Sequence, residues 1–220
     1  MDRHPESEFM DDPAEALAYA RADFDAVNQA FVERMLCVAG PRGRAATLDL
    51  GTGPGDIPIR VIHARPDWHV AAVDASEAMI ELARAAIHRA GLDGCIQPVL
   101  ADAKATGLPR AAFDVIFSNS ILHHVTRVDL LWAEVKRLAA PGAAVFLRDL
   151  ARPESPEAAW AIVRRYTANE SDLLQQEFYR SLLSAYTVDE VRVQLDHSGL
   201  QTLQVAMVTD RHLDVFGRLD

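Results

Sequence analysis

Short apolar runs alternate with amphipathic stretches along most of this 220-residue chain. The runs have the length and composition of buried strands, and they cover residues 46–50, 69–74, 95–100, 113–118 and 143–149. In most of the stretches between them, apolar residues recur at three- and four-residue spacing, which is typical of helices. Strands that alternate with helices predict an α/β fold, with a parallel sheet covered by helices on both faces.

Local signals mark further boundaries of helices and strands. The first helix is predicted over residues 13–38, from the same apolar spacing. Pro98 lies inside the third strand and cannot donate a hydrogen bond, so that strand is predicted at an edge of the sheet. Residues 200–209 and 212–219 predict two closing strands joined by a two-residue turn. Helix-start signals in the second half of the chain lie at Ser155, Ser171 and Thr187.

Composition narrows the classes of protein. The net charge is −10 and no basic run occurs, which disfavours nucleic acid as a partner because phosphate contacts need a basic face. No apolar run approaches the ~20 residues of a membrane helix, and residues 1–5 contain no signal-peptide core. We therefore predict a cytoplasmic protein with no membrane partner. Cys37 and Cys95 have no neighbour at metal-ligand spacing, so no metal site is predicted, although metal assistance stays open.

The strongest chemical signal is the sequence Leu48-Asp-Leu-Gly-Thr-Gly-Pro-Gly-Asp56, in which a strand runs into three alternate glycines and then a helix. Glycines there let the backbone approach a ligand, and such a loop alone could hold a nicotinamide, a flavin or S-adenosylmethionine. The spacing differs from the dinucleotide fingerprint, and Asp56 at the start of the helix would repel a pyrophosphate. Asp49, just before the first glycine, suits the amino group of a methionine moiety better than a phosphate.

Two further acids follow the next two strands. Asp74 ends the second strand, where an acid can accept hydrogen bonds from both ribose hydroxyls. The alternative is a helix N-cap, a role that Ser76 alone could fill. Asp102 follows the third strand and could accept from an adenine amino group, although aspartate is common in loops and this signal alone is weak.

In order and spacing, these motifs resemble those of the class I S-adenosylmethionine-dependent methyltransferases, over residues 47–149. The segments that carry the resemblance are 48–56, 73–76, 102–103 and 113–124. The resemblance implies a Rossmann-like, seven-stranded, mostly parallel sheet in the order 3-2-1-4-5-7-6, with the last strand antiparallel. It also implies cofactor contacts from Asp49, Gly51, Thr52, Gly53 and Gly55 at the methionine end, Asp74, Ala75 and Met79 at the adenosine, Asp102 and Ala103 at the adenine, and Asn119 near the sulfonium.

The segment after the fourth strand bears on the acceptor. Asn119-Ser-Ile-Leu-His123-His124 lacks the Asn/Asp-Pro-Pro-aromatic motif of enzymes that methylate base or glutamine amino groups, and resembles small-molecule and quinone-type methyltransferases. His123 and His124 are the candidate catalytic bases for an acceptor that must lose a proton. The alternative is that one histidine packs and the other caps the following helix. Arg148, near the end of the fifth strand, could hold an acceptor carboxylate or only close its loop.

We predict a single domain over residues 1–220. Its predicted parts are an N-terminal helical cap (1–40), a cofactor-binding core (45–150), a helical insertion or lid (151–186), and a C-terminal helix with a β-hairpin (187–220). The cap and the insertion are expected to cover the site. Aromatic candidates for the acceptor walls are Tyr19, Phe24, Tyr166, Phe178 and Tyr179.

The expected function is transfer of a methyl group from S-adenosylmethionine to the oxygen, carbon or sulfur of a small-molecule acceptor, with S-adenosylhomocysteine as product. Two alternatives stay open: an NAD(P)-dependent oxidoreductase on a similar fold, and a protein that binds S-adenosylmethionine without transferring its methyl group. Methylation of nucleic acid or protein is disfavoured by the charge and by the missing Pro-Pro pair. A homodimer is compatible with the sequence, which does not name the acceptor.

Overall fold

The computed structural model describes residues 1–7, 16–17, 19–20 and 24–220 of the chain. Residues 16–17 and 19–20 are helical, and within residues 24–220 the helices are α1 (Asp25–Ala39), α2 (Asp56–Ala64), α3 (Glu77–Arg89), α4 (Val128–Leu138), α5 (Pro156–Tyr166), α6 (Asp172–Ser184) and α7 (Val188–His197). The strands are β1 (Ala45–Leu50), β2 (Trp68–Asp74), β3 (Ile96–Leu100), β4 (Phe113–Asn119), β5 (Ala139–Leu150), β6 (Gln204–Met207) and β7 (His212–Leu219).

The seven strands form one sheet in the order β3-β2-β1-β4-β5-β7-β6, which confirms the predicted order. Strands β1 to β5 pair in parallel, whereas β7 runs antiparallel to both of its neighbours. β3 lies at one edge, as the proline in it predicts, because an edge strand needs hydrogen bonds on one side only.

Side chains alternate between the two faces of the sheet along β4 and β5. Phe117 and Phe146 pack under α1, where the ring of Phe31 lies 6.4 and 5.0 Å from theirs. Ile116 and Leu147 belong to the opposite apolar layer, which contains residues of α4 and α7. The sheet is therefore buried on both faces, as the alternation of strands and helices predicts.

The predicted first helix is interrupted at Phe24 in the structure. Residues 16–17 and 19–20 are helical as predicted, but Phe24 has φ −107° and ψ 13°, and α1 begins after it at Asp25. The ring of Phe24 lies 5.0 Å from that of Tyr19, and both residues line a cavity. The apolar residues that predicted the helix therefore include residues that line the cavity as well as residues of α1. Pro13, the predicted first residue, lies outside the described residues.

The predicted start of β5 was also wrong. β5 begins at Ala139, four residues earlier than expected, because Ala139 pairs with Phe113 of β4. The next pair joins Ala144 to Val115, so an irregularity in β5 takes up residues 141–142, the Pro-Gly pair that predicted a stop.

The closing hairpin has a shorter first strand and a longer turn than predicted. β6 covers only Gln204–Met207, because the chain before it forms a turn in which Leu203 N–H donates to Leu200 O at 2.9 Å. The loop spans residues 208–211, since the N–H groups at 208 and 209 both donate to the carbonyl of His212. The two-residue turn is thus replaced by a four-residue loop.

The carboxyl ends of the parallel strands meet at one edge of the sheet, where open α/β proteins bind ligands. In the ranges that the structure covers, no helix combines the length and the apolar character needed to cross a membrane.

Candidate active site

A cavity of about 530 Å³, here called the main cavity, opens at this carboxyl edge, and its volume is typical of ligand sites. A second cavity of about 230 Å³ shares Gly51, Gly53 and Asn119 with it. The predicted cofactor and catalytic residues that line the main cavity are Gly51, Gly53, Asp74, Ala75, Met79, Asp102, Ala103, Asn119, His123 and His124. Asp49 and Thr52 line the second cavity. The structure therefore brings the separate sequence motifs together at one place.

The glycine loop leaves β1 while hydrogen-bonded to β2. Gly51 N–H donates to Val73 O at 2.8 Å. Gly53 has φ +54°, and a Cβ there would meet no atom of the described residues within 4 Å, so its backbone is open to both cavities. Gly55 is outside the lining of both cavities, and a Cβ on it would lie 3.2 Å from the Cβ of Ala83 in α3. Gly55 thus allows close packing of the loop on α3, and its predicted cofactor contact stays a prediction.

Asp49 places a buried carboxyl group at the end of β1. Within the described part of the chain, neither Asp49 Oδ2 nor Thr52 Oγ1 has a hydrogen-bond partner. Burial raises the pKa of Asp49 to about 7; the Thr52 hydroxyl lies near enough to lower this pKa without reaching hydrogen-bond geometry, and the charge of Asp74 raises it. A buried polar atom without a partner is costly, and an ammonium group on a ligand would supply that partner.

Asp74 presents its carboxylate at the end of β2. Its Oδ2 accepts from Gly53 N–H at 2.8 Å, and its Oδ1 accepts from Ser76 N–H at 2.9 Å. Ser76 caps α3, because its hydroxyl accepts from Met79 N–H at 3.2 Å. The serine therefore fills the capping role, and Asp74 lines the main cavity together with Ala75.

Asp102 and Ala103 lie in the loop after β3 and form another wall of the main cavity. Asp102 Oδ1 accepts from Lys104 N–H at 2.8 Å and lies 3.1 Å from Lys104 Nζ. This ion pair fixes the carboxylate beside the cavity, at the position where the sequence predicts the adenine.

Asn119 ends β4 and connects to α1 and α2 through side chains. Its Nδ2 donates to Asn28 Oδ1 at 3.4 Å, and Asn28 Nδ2 donates to Asp56 Oδ2 at 2.8 Å. Arg60 Nε donates to the same Asp56 oxygen at 2.7 Å, and Gly55 is the N-cap residue of α2. Asp56 is therefore paired with Arg60, and this pairing weakens the repulsion that was expected between Asp56 and a pyrophosphate.

His123 and His124 follow β4 and both line the main cavity. His123 Nδ1 is 2.5 Å from Asp149 Oδ1, and its Nε2 is 3.5 Å from Glu6 Oε1. His124 Nδ1 lies 3.2 Å from the same Glu6 oxygen. Neither histidine caps α4, whose N-cap residue is Arg127. The alternative of a packing and a capping histidine is thus not found.

Burial and neighbouring charges separate the pKa values of this group. Burial alone would lower the pKa of His123, but the charge of Asp149 and its hydrogen bond outweigh this effect, so the pKa is raised. Burial lowers the pKa of His124 to about 3, and the charge of His123 contributes. Burial raises the pKa of Glu6, although His123 opposes this shift. The two adjacent imidazoles are therefore electrostatically unlike each other.

The aromatic candidates divide into two sets. The cavity-lining set is Tyr19, Phe24, Tyr166 and Phe178. Tyr179 lies outside this lining, because its ring stacks on Trp160 of α5 at 4.3 Å with an angle of 16°. The structure therefore gives Tyr179 a helix-packing contact in place of the predicted acceptor contact.

Arg148 also lies outside the cavity lining. Because side chains alternate along β5, Arg148 and Asp149 face opposite sides of the sheet. Arg148 Nε and Nη2 donate to the two carboxylate oxygens of Asp214 in β7, at 2.7 and 2.9 Å, and Asp214 is fully buried. Arg148 therefore forms an ion pair between strands, which favours the structural alternative over an acceptor contact.

Among the residues of the site that were not assigned from the sequence are Glu6, Asn28 and Asp149. The alternation of apolar residues along β5 could have placed Asp149 on the same face as Leu147, towards the histidines. Glu6 is distant from the histidines in the sequence, and no spacing pattern links them.

Together, the fold and the site define an α/β protein that binds a nucleoside-containing cofactor at the carboxyl edge of its sheet. Residues 48–147 match the family described as a methyltransferase domain. A 27-O-demethylrifamycin SV methyltransferase of Amycolatopsis mediterranei is 27% identical over 70% of this chain and 53% of its own length. A malonyl-[acyl-carrier protein] O-methyltransferase of Methylococcus capsulatus is 31% identical over 66% of this chain and 55% of its own length. The chain thus spans about half the length of these curated relatives.

The solved structures agree on the fold. A SAM-dependent methyltransferase from Aquifex aeolicus superimposes with a TM-score of 0.71 at 20% identity, over 95% of this chain and 99% of that one. The match over residues 48–147 and the shared fold both agree with the resemblance to class I S-adenosylmethionine-dependent methyltransferases that the sequence motifs predict. The residues present fit the cofactor of this family, because the buried Asp49 oxygen has no partner among the described residues and the Gly53 backbone borders both cavities.

Proposed function

We propose that this protein transfers the methyl group of S-adenosylmethionine to a small-molecule acceptor by in-line displacement, with S-adenosylhomocysteine as product. One observation carries the proposal: the main cavity extends from Asp74 and the glycine loop to the histidine pair. Cofactor-side and acceptor-side residues therefore border a single space, and transfer requires that the two reactants be held together there.

On the cofactor side, each group has a partner of matching chemistry. The Asp49 carboxylate would receive the ammonium of the methionine moiety, and Asp74 would accept from the ribose hydroxyls. Asp102 and Ala103 would border the adenine, with Asn119 near the sulfonium. S-adenosylmethionine supplies an activated methyl group and a neutral sulfide leaving group, so these residues have only to bind and orient it.

On the acceptor side, His123 would receive the acceptor's proton where an O–H or an acidic C–H must be lost, and His124, whose pKa is lowered to about 3, would orient the acceptor. Asp149 supports this role because it holds the His123 ring through Nδ1. The aromatic residues Phe24 and Phe178 favour an acceptor with substantial apolar surface. Hydroxylated ring compounds and other oxygen or carbon acceptors of this type are the first class to examine.

The predicted cover over the site belongs to the same proposal. Tyr166 at the end of α5 and Phe178 of α6 line the main cavity, which supports a lid formed by residues 151–186. A homodimer and a cytoplasmic location stay predictions, and sedimentation of the purified protein would decide the first.

Calorimetric titration with S-adenosylhomocysteine tests the proposal, with reduced nicotinamide dinucleotide as the control ligand. Saturable binding of the first and none of the second is the expected result, and screening of acceptors would follow. Binding of the nicotinamide alone would overturn the proposal in favour of an oxidoreductase. Cofactor binding without turnover of any hydroxylated or acidic-carbon acceptor would instead favour a binding protein.

A further inference from the structure

Three side-chain atoms of the kind that bind metal ions converge on one wall of the main cavity. They are Glu6 Oε1, His123 Nε2 and His124 Nδ1, and all lie within 4.8 Å of one another. Glu6 Oε1 is 3.5 Å from the His123 nitrogen and 3.2 Å from the His124 nitrogen. We refer to this group as the Glu-His-His cluster.

The backbone explains why two consecutive histidines face the same point. In an extended strand their side chains would lie on opposite sides. Here the chain leaves β4 in two overlapping turns, with His124 N–H donating to Ile121 O at 3.0 Å and Val125 N–H donating to Leu122 O at 3.1 Å. The two imidazole rings therefore lie side by side, with centroids 4.1 Å apart.

Asp149 fixes which nitrogen of His123 is available. The Asp149 carboxylate accepts from Leu122 N–H at 2.6 Å and from Leu150 N–H at 2.7 Å, and its Oδ1 also lies against His123 Nδ1. Nδ1 therefore carries a hydrogen and donates to the carboxylate, which leaves Nε2 for another partner. A carboxylate that holds the second ring nitrogen is the usual companion of a metal-binding histidine.

Glu6 is held firmly against the histidines. Its backbone N–H donates to Ser184 Oγ at 3.2 Å, and Ser181 Oγ donates to its Oε1 at 3.1 Å. Arg3 fixes the same segment, because its guanidinium donates to the carbonyl oxygens of Ser184 and His123 at 2.5 and 2.8 Å. The carboxylate is thus a fixed part of the cavity wall.

The separations leave room for a shared cation. His124 Nδ1 lies 3.2 Å from Glu6 Oε1 and 3.3 Å from the Ser7 carbonyl oxygen, so it would bind a cation only in the tautomer that carries its hydrogen on Nε2. The 3.5 Å between Glu6 Oε1 and His123 Nε2 exceeds a good N–H···O hydrogen bond of about 2.7–3.2 Å. Two ligands at about 2.1 Å from a tetrahedral zinc ion lie roughly 3.4 Å apart, and both measured separations are near this value. Two imidazoles and one carboxylate are also a donor set that suits zinc and similar transition-metal dications.

We propose that the Glu-His-His cluster binds one divalent transition-metal ion, of which Zn²⁺ is the reference case, with its remaining coordination position open to the main cavity. An oxygen of the acceptor or a water molecule would take that position. The site goes beyond the proposed methyl transfer, which does not depend on it. In the ion-bound protein the lone pair of His123 Nε2 would be occupied, so the ion would orient an oxygen acceptor and favour loss of its proton to water, and His123 would act as a base only in the ion-free protein.

Calorimetric titration of tag-free, chelator-treated and desalted protein with Zn²⁺ tests the site. One equivalent should bind, and E6Q and H124Q should each weaken the affinity at least tenfold. The matched control is H88Q, because His88 forms a comparable exposed pair with Asp93 at 3.3 Å. This control should leave the affinity unchanged.

Co²⁺ provides a second readout that needs no variant, since its visible spectrum reports nitrogen and oxygen ligands at low coordination number. Absence of a one-equivalent Zn²⁺ site in the unmutated protein, a Co²⁺ spectrum of the hydrated ion, or equal Zn²⁺ affinity in E6Q and H124Q would each overturn the proposal. Titration of the same samples with S-adenosylhomocysteine is read separately. A failed cofactor site and a failed metal site are therefore distinguishable.

Discussion

The buried carboxyl of Asp49 links stability and cofactor binding in opposite directions. Its pKa rises from 3.8 to about 7, first because burial disfavours the charged form. At 1.36 kcal/mol for each pH unit, this rise corresponds to about 4 kcal/mol. The variant D49N keeps the size of the side chain and removes the charge.

The sign follows from proton binding. Between pH 3.8 and about 7 the folded protein holds a proton on Asp49 that the unfolded chain has lost, so the free energy of unfolding falls as pH rises through this window. The variant D49N has no carboxyl group at this position, so its free energy of unfolding does not fall in this way. It should therefore be more stable than the wild type by up to about 4 kcal/mol near pH 8, and this advantage should shrink by about 2 to 3 kcal/mol near pH 5.

The affinity for the cofactor should change in the opposite direction to the stability, so D49N should bind it more weakly. Loss of a charge-assisted hydrogen bond to the ammonium costs about 1.5–3 kcal/mol, or roughly a 10- to 150-fold weaker affinity for S-adenosylhomocysteine. Urea unfolding at both pH values and calorimetry on the same samples measure the two effects. D67N removes a carboxylate from an exposed aspartate and serves as the control. A D49N protein that is less stable near pH 8, or that binds the ligand like the wild type, would refute the reasoning.

Two further predictions concern residues around the sheet and the loop. D214A leaves the Arg148 guanidinium without its buried partner, and should lower the free energy of unfolding in urea by about 3–5 kcal/mol. Its S-adenosylhomocysteine affinity should not change, because the pair faces away from the main cavity; a large loss of affinity would contradict this orientation. G51A places a Cβ 2.9 Å from Ile121 Cδ1 at φ +74°, and should lower both urea stability, by at least about 1–2 kcal/mol, and cofactor affinity. The double variant G51A/I121A should recover the part of the lost stability and affinity that is due to the contact with Ile121. If neither recovers, backbone strain at residue 51 dominates the effect.

The cofactor half of the site was predictable because each of its motifs is local. A strand, a glycine loop and a helix lie within residues 48–56, and Asp74 and Asp102 each follow directly after a strand. The carboxyl ends of parallel strands meet at one edge, so these segments converge without any knowledge of distant contacts. The strand order came from the family resemblance, because strand spacing alone does not fix which strands pair.

The acceptor half depends on contacts that local patterns do not encode. Arg148 and Asp149 are adjacent, and only the alternation along β5 decides that Asp149 faces the histidines. Tyr179 and Phe178 are likewise adjacent on one helix, and the position of Trp160 decides which of them lines the cavity. These outcomes follow from packing partners brought in by distant segments, as does the position of Glu6 beside the histidines.

The hydrogen bonds of Arg3 also bear on the order in which the parts of the protein can fold. Its contact with Ser184 joins residues 181 positions apart, whereas Gly53 and Asp74 are only 21 apart. Closing the longer loop costs more conformational entropy of the chain. It also requires that α6 has already been synthesised. A chain emerging from the ribosome can therefore form its cofactor loop early, while the acceptor wall is completed only after most of the chain has been made. A fragment that ends before α6 would contain the cofactor-side residues but would lack part of the wall of the main cavity.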